Sequence, residues 1–161
     1  MSNTSEQLNT IINDESLDAD AKINAILKLG LDEFGMDIAI VSHIEEKKKK
    51  YTVLYSQTTG AELAPGTEFD LGVTYCSMTM KLPKALAIPH MKKSEHQRHP
   101  CYEAFKLESY LGYTLTRDRR VHGTINFSSP AARDQIPMAH RNLAEQMGEA
   151  VNTLLKHKDA A

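Results

Sequence analysis

The feature that most constrains this chain is where its apolar periodicity changes. Near the start, Ile23, Ile26, Leu27, Gly30, Leu31 and Phe34 recur at the three-and-four spacing of one buried helical face. That predicts a helix from about Asp18 to Phe34, closed by Gly35. Near the end, Ile136, His140, Leu143, Met147, Ala150 and Leu154 repeat the spacing along a second helix. It should start near Asp134, with Pro137 tolerated in its first turn. Between these stripes the pattern shifts to β-like runs: "DIAIVSHI", "YTVLYSQTT", Thr67 to Leu71, "ALAIPHM", Ser109 to Thr116 and Val121 to Ser128. Helix, strands, helix, with hairpins between, predicts an α+β domain: a central antiparallel sheet with the terminal helices on one face. The loop-plus-helix stretch before Ser109 would cross the other face and cover a pocket there, a common setting for a small-molecule site.

The 161 residues suit one domain with one core. Residues 1–16 read as a partly helical extension carrying Leu8, Ile11 and Ile12, residues 17–156 as the domain and 157–161 as a tail. A net charge of −2 supplies no basic excess for neutralising phosphates, so nucleic acid is not an expected partner. The run Lys47 to Lys50, behind Glu45 and Glu46, reads as a solvated hairpin tip, and "RDRR" as a second turn. No stretch has the apolar length of a membrane span, and "MSNTSEQLN" lacks a signal-peptide profile. Two cysteines do not make a disulfide scaffold. The expectation is a cytoplasmic protein with reduced thiols.

Chemistry concentrates in "HPCYEAFKLESYLG", His99 to Gly112. Pro100 suits the first position of a helix, which places His99 at the cap and Cys101 just inside. There the helix start, aided by a protonated His99, would lower the thiol pKa. Cys76 has a similar setting if Thr74 caps the short helix of "TYCSMTMK", which Pro83 closes. Cys101 and Phe105 are four apart, as are Cys76 and Met80, so each thiol can equally face the core as a small hydrophobe. Cys76, His90, His99 and Cys101 offer zinc-type ligands, but no paired CxxC or HxxxH pre-forms half a metal site. His43, His122, His140 and His157 fall on strands, a turn and a helix surface, outside this set. In the last strand Thr124, Asn126 and Ser128 alternate with Ile125 and Phe127, so a polar face would look into the cavity.

The segments "LGVTYCSMT", "LAIPHM", "HPCYEAFKLESYLG" and "GTINFSSPAAR", in order from about Ile23 to Leu155, resemble the GAF domains of bacterial sensor histidine kinases and cyclic-di-GMP enzymes. The resemblance implies a central antiparallel sheet, terminal helices that pair in a homodimer, and a small-molecule pocket under the crossover. Tyr75, Cys76, Met80, His90 and His99 would contribute to that pocket from before the crossover helix. Cys101, Tyr102, Phe105 and Glu108 would follow from the helix itself, and Thr124, Asn126 and Ser128 from the last strand. The expected function is sensory: a ligand binds, and the terminal helices report it to a kinase or cyclase output, separate or fused. No cofactor is assigned.

Free methionine-(R)-sulfoxide reductases share this likeness and imply the alternative, a thiol-based reductase or redox sensor with Cys101 as nucleophile, Cys76 as second thiol and Glu108 on substrate. The chain departs from them. It has no cysteine in "APGTEFD", and it places Asn126 and Ser128 where they carry two carboxylates. Bilin-binding photoreceptors also attach chromophore near the position of Cys101, but follow it with histidine where this chain has Tyr102.

Overall fold

The structure, a computed structural model, describes residues 3–160. Residues 1 and 2 of the extension and 161 of the tail lie outside the described residues. Eleven elements follow one another: α1 (Asn3–Ile12), α2 (Ala19–Phe34), β1 (Ile38–Glu45), β2 (Lys50–Thr58), β3 (Glu68–Asp70), α3 (Cys76–Thr79), β4 (Leu86–Ile88), α4 (Pro100–Phe105), β5 (Ser109–Arg117), β6 (Arg120–Ser129) and α5 (Met138–Ala160), with short 3-10 turns between some of them. The strands form one six-stranded antiparallel sheet in the order β3-β2-β1-β6-β5-β4.

Helices α2 and α5 cover one face of that sheet, and α1 packs on the two of them. The Asp18 carboxylate accepts from the Ala21 N–H and caps α2. At the other end Gly35 takes the left-handed conformation (φ 63°) and donates to the Leu31 carbonyl. The apolar face of β6 meets α2 directly, with Phe127 edge-on to Phe34 at 4.8 Å between centroids. Among the described residues no helix is long and apolar enough to cross a membrane.

Several boundaries differ from the sequence expectation. The extension is helical over Asn3–Ile12, with Leu8 buried in a groove that α2 and α5 supply, and helix α2 itself begins at Ala19. β4 is three residues long instead of running to Met91, since Pro89 has no N–H for the ladder and residues 91–93 turn as a 3-10 helix. α5 starts at Met138 rather than near Asp134, and Pro137 precedes it, accepting at its carbonyl from the His140 and Arg141 N–H groups. Its stripe of Leu143, Met147, Val151 and Leu155 is already buried within the chain, against the sheet and α2. The stripe thus packs within the chain.

One irregularity matters for the site. Val41 pairs with Tyr55 and Ser42 with Val53, so Leu54 is the extra residue of a β-bulge. The bulge switches parity along β2. Ser56 and Thr58 stand opposite Ile40 and Ile38 on one side of it, Val53 and Tyr51 opposite Ser42 and Ile44 on the other. All four therefore share the face away from the helices, and Tyr51 would point into the helical layer if the strand were regular.

Candidate functional site

On that second face the crossover encloses a cavity of about 320 Å³. Ile38 and Ile40 of β1, Tyr110 of β5, and Asn126 and Ser128 of β6 form its floor. Tyr75 and Cys101 close it from above, Cys76 reaches from α3 down to Asn126 and Thr124 of the sheet, and Leu63, Phe69 and Phe105 stand nearer the mouth. Phe69 and Phe105 meet there edge to face at 5.6 Å.

The floor follows from strand register. Ser128 pairs with Ile38 on one side and Tyr110 on the other, and Asn126 with Ile40 and Gly112. A side chain at position 112 would run into the Tyr110 ring, since a Cβ there would lie 2.6 Å from Cζ and 2.8 Å from Cε2. Glycine lets the ring lie along the sheet, so that Tyr110 Oη reaches Thr79 Oγ1 at 2.6 Å and Cys76 Sγ at 3.5 Å.

Beneath the cavity these groups close into a network. Asn126 Nδ2 donates to Tyr51 Oη at 3.1 Å and to Cys76 Sγ at 3.3 Å. Cys76 Sγ lies 3.0 Å from Thr124 Oγ1, which lies 2.9 Å from Ser42 Oγ. Two polar atoms stay outside the network. Asn126 bonds only through Nδ2, and no side-chain bond to Ser128 Oγ is made among the described residues, so Asn126 Oδ1 and Ser128 Oγ are the polar atoms left to the cavity that both residues line.

Burial sets the protonation of this region. It drives Tyr51 and Tyr110 well above the ordinary phenol range and raises Cys76. Cys101 is pushed up to about 12, again chiefly by burial. This corrects the expectation of low-pKa thiols: α3 and α4 have four and six residues, too few peptide dipoles to offset desolvation. Both cysteines are free.

His99 does cap α4, but as a neutral ring. Its Nδ1 accepts from the Cys101 N–H at 3.0 Å, so the proton sits on Nε2 and is donated to Ser77 Oγ, 3.0 Å away. Ser77 passes its own hydroxyl hydrogen to the Thr74 carbonyl at 2.8 Å. Burial lowers the His99 pKa, in keeping with that neutral state. Ser77 and His99 are thus no nucleophile–base pair, because the ring nitrogen facing the hydroxyl has no lone pair to offer. Thr74 does not cap α3 either; its hydroxyl donates to the Leu71 carbonyl at 2.8 Å.

Of the residues singled out in the sequence, Tyr75, Cys76, Cys101, Phe105, Asn126 and Ser128 line the cavity. Thr124 lies beneath it, and Met80 packs against the cluster of Ile44, Tyr51 and Val53. His99 points to Ser77. Tyr102, His90 and Glu108 form a separate cluster on the crossover: Tyr102 Oη donates to Glu108 Oε2 at 2.7 Å, the Lys92 N–H donates to Oε1 at 3.0 Å, and His90 Nε2 is 3.8 Å away. Burial pushes the Glu108 carboxyl up, but the bonds from Tyr102 and Lys92 outweigh it and hold the group below the usual range. Glu108 therefore latches the crossover to the start of β5. The four zinc-type residues are dispersed by these separate engagements, and among the described residues no group of three or more His, Cys, Asp or Glu side chains could hold a metal ion.

Ile38, Ile40, Leu63, Phe69 and Leu107 line the cavity without having been singled out. The alternation of Ile38 and Ile40 in "DIAIVSHI" carried a usable signal. Tyr51 carried none, because its facing depends on the bulge.

No family model and no curated protein sequence matches the chain. Solved structures do. The GAF domain of an Acinetobacter phosphoenolpyruvate-protein phosphotransferase superposes with a TM-score of 0.78 at 15% identity, covering 99% of this chain and 98% of that one. A Stigmatella aurantiaca phytochrome photosensory core module gives 0.80 at 14% identity, over 98% of this chain but only 36% of that chain. Free methionine-R-sulfoxide reductase from Neisseria meningitidis, in complex with its substrate, gives 0.74 at 11% identity, over 100% and 95%. At such identities the likeness defines the architecture: the chain has an α+β, GAF-type fold.

Proposed function

We propose that this is a small-molecule-binding sensory domain in which a ligand occupies the cavity under the crossover and the terminal helices report it. The observation that carries the reading is the apolar cavity of about 320 Å³ whose floor presents Ser128 and Asn126, with Ser128 Oγ and Asn126 Oδ1 outside the hydrogen bonds that hold Asn126 Nδ2. The route outward is short. β1 and β6 place Ile38, Ile40 and Ser128 on the cavity and Ala39, Val41, Ile125 and Phe127 in the helical core. At the chain's end, Asp20 of α2 accepts from Tyr55 of β2 at 2.5 Å and from Lys158 of α5 at 2.7 Å. A ligand that shifts the sheet biases how α2 and α5 pack. The exposed faces of the terminal helices then carry the signal to a second copy or to a kinase or cyclase output, separate or fused. Two buried, protonated thiols favour this reading over thiol chemistry.

Titration with 2-naphthylmethanol, followed by ¹⁵N NMR, tests it. Saturable shifts are expected in β1, β6, α2 and α5. They should vanish in Ile38→Trp, which fills the cavity while far-UV circular dichroism stays unchanged. Equal binding to that variant would remove the cavity as the site.

A further inference from the structure

Resting on that reading, we infer that the cavity selects uncharged, mostly apolar ligands bearing one hydroxyl, amide or ring N–H, held between Ser128 Oγ and Asn126 Oδ1. Among the described residues lining it there is no Lys, Arg or His, and the one ionisable carboxylate, Glu62, is exposed at the mouth. Water screens Glu62, so an ammonium group gains little from it.

The other polar groups of the wall are already engaged. Tyr75 Oη donates to the Leu107 carbonyl at 2.9 Å, Thr74 to Leu71, and Thr58 Oγ1 to the Ala61 carbonyl at 3.1 Å. Tyr110 and Cys76 are held in the network beneath. Tyr51 Oη accepts from Asn126 Nδ2, and the Cys101 thiol is engaged with Tyr75. That leaves the Ser128 hydroxyl and the Asn126 amide oxygen, two residues apart on the same face of β6, about 7 Å between their Cα atoms.

A ligand hydroxyl or amide can donate to Asn126 Oδ1 and accept from Ser128 Oγ–H. A carboxylate or phosphate cannot. Its oxygens would face the Asn126 carbonyl oxygen, a like partial charge, and its buried negative charge would have a single neutral donor. A zwitterionic amino acid adds a buried ammonium without a counter-ion. The volume lies at the small end of ligand cavities, which suits a one- or two-ring compound.

Three probes of one shape separate the possibilities: 2-naphthylmethanol, 2-naphthoate and 2-naphthylmethylamine, measured by calorimetry at pH 7 on the full chain and on Ser128→Ala. The alcohol should bind at least about tenfold more tightly than either ion. Ser128→Ala should weaken the alcohol about threefold to tenfold and leave the ions' weak binding unchanged. Naphthoate or the amine binding as well as the alcohol would overturn the charge selection while leaving the cavity as the site. Preference for the alcohol with no effect of Ser128→Ala would overturn the polar anchor. If none of the three binds, the ligand-site reading itself fails.

Discussion

Adding iodoacetamide to the folded protein at pH 8 probes whether the two thiols are buried wall or working chemistry. Cys101 is pushed up to about 12 from an ordinary value of 9.0. Its thiolate fraction at pH 8 therefore falls from about one in ten to about one in ten thousand, and alkylation slows about a thousandfold before access is considered. Cys76 is also raised by burial and sits deeper, in contact with Asn126 and Thr124. Intact-mass spectrometry should find no adduct over a period in which glutathione in the same tube is fully modified, and two adducts once urea unfolds the chain. An adduct at Cys101 forming within about tenfold of the glutathione rate would refute the burial argument and revive thiol chemistry. The same shift has a stability consequence. The folded thiol keeps its proton where the unfolded one loses it, so its contribution is complete below about pH 9 and declines as pH rises towards about 12. The slope is about 1.4 kcal/mol per pH unit, and Cys101→Ala should remove it from alkaline urea-denaturation curves.

Gly112→Ala forces the Tyr110 ring off the sheet and should cost about 1–3 kcal/mol in urea denaturation, with a smaller cost in a Tyr110→Leu background; equal costs in both would show that the ring does not lie over Gly112. Glu108→Gln removes an acceptor held in its charged form by Tyr102 and the Lys92 N–H, at about 1 kcal/mol at pH 7. Because the Glu108 pKa is depressed, its contribution is present above the ordinary carboxylate value and lost as pH falls through the folded one. Wild type should thus lose more stability than the variant between neutral and acid pH, and parallel pH profiles would argue against the latch.

The layering of this protein is written locally in its residues. Periodic stripes such as Ile23 to Phe34, and the alternation of Ile125 and Phe127 with Asn126 and Ser128, report which face of an element is apolar, and that depends only on local geometry. Gly35, Pro100 and His99 marked helix ends because caps are local too. The cavity was legible only in part. Asn126 and Ser128 were readable as a polar strand face, but which of their atoms are left to the cavity depends on what Tyr51, Cys76 and Thr124 do around them. Tyr51 reaches that network only through the bulge at Leu54, which exists because two strands must stay in register across it. The thiols show the same divide. A helix start near Cys101 is a local fact that favours a thiolate, whereas its burial under the crossover, which decides the outcome, is made by residues distant in sequence. Tertiary structure alone settled which oxygens, sulfurs and rings share the space beneath α3 and α4, since desolvation and hydrogen-bond satisfaction are properties of the packed interior.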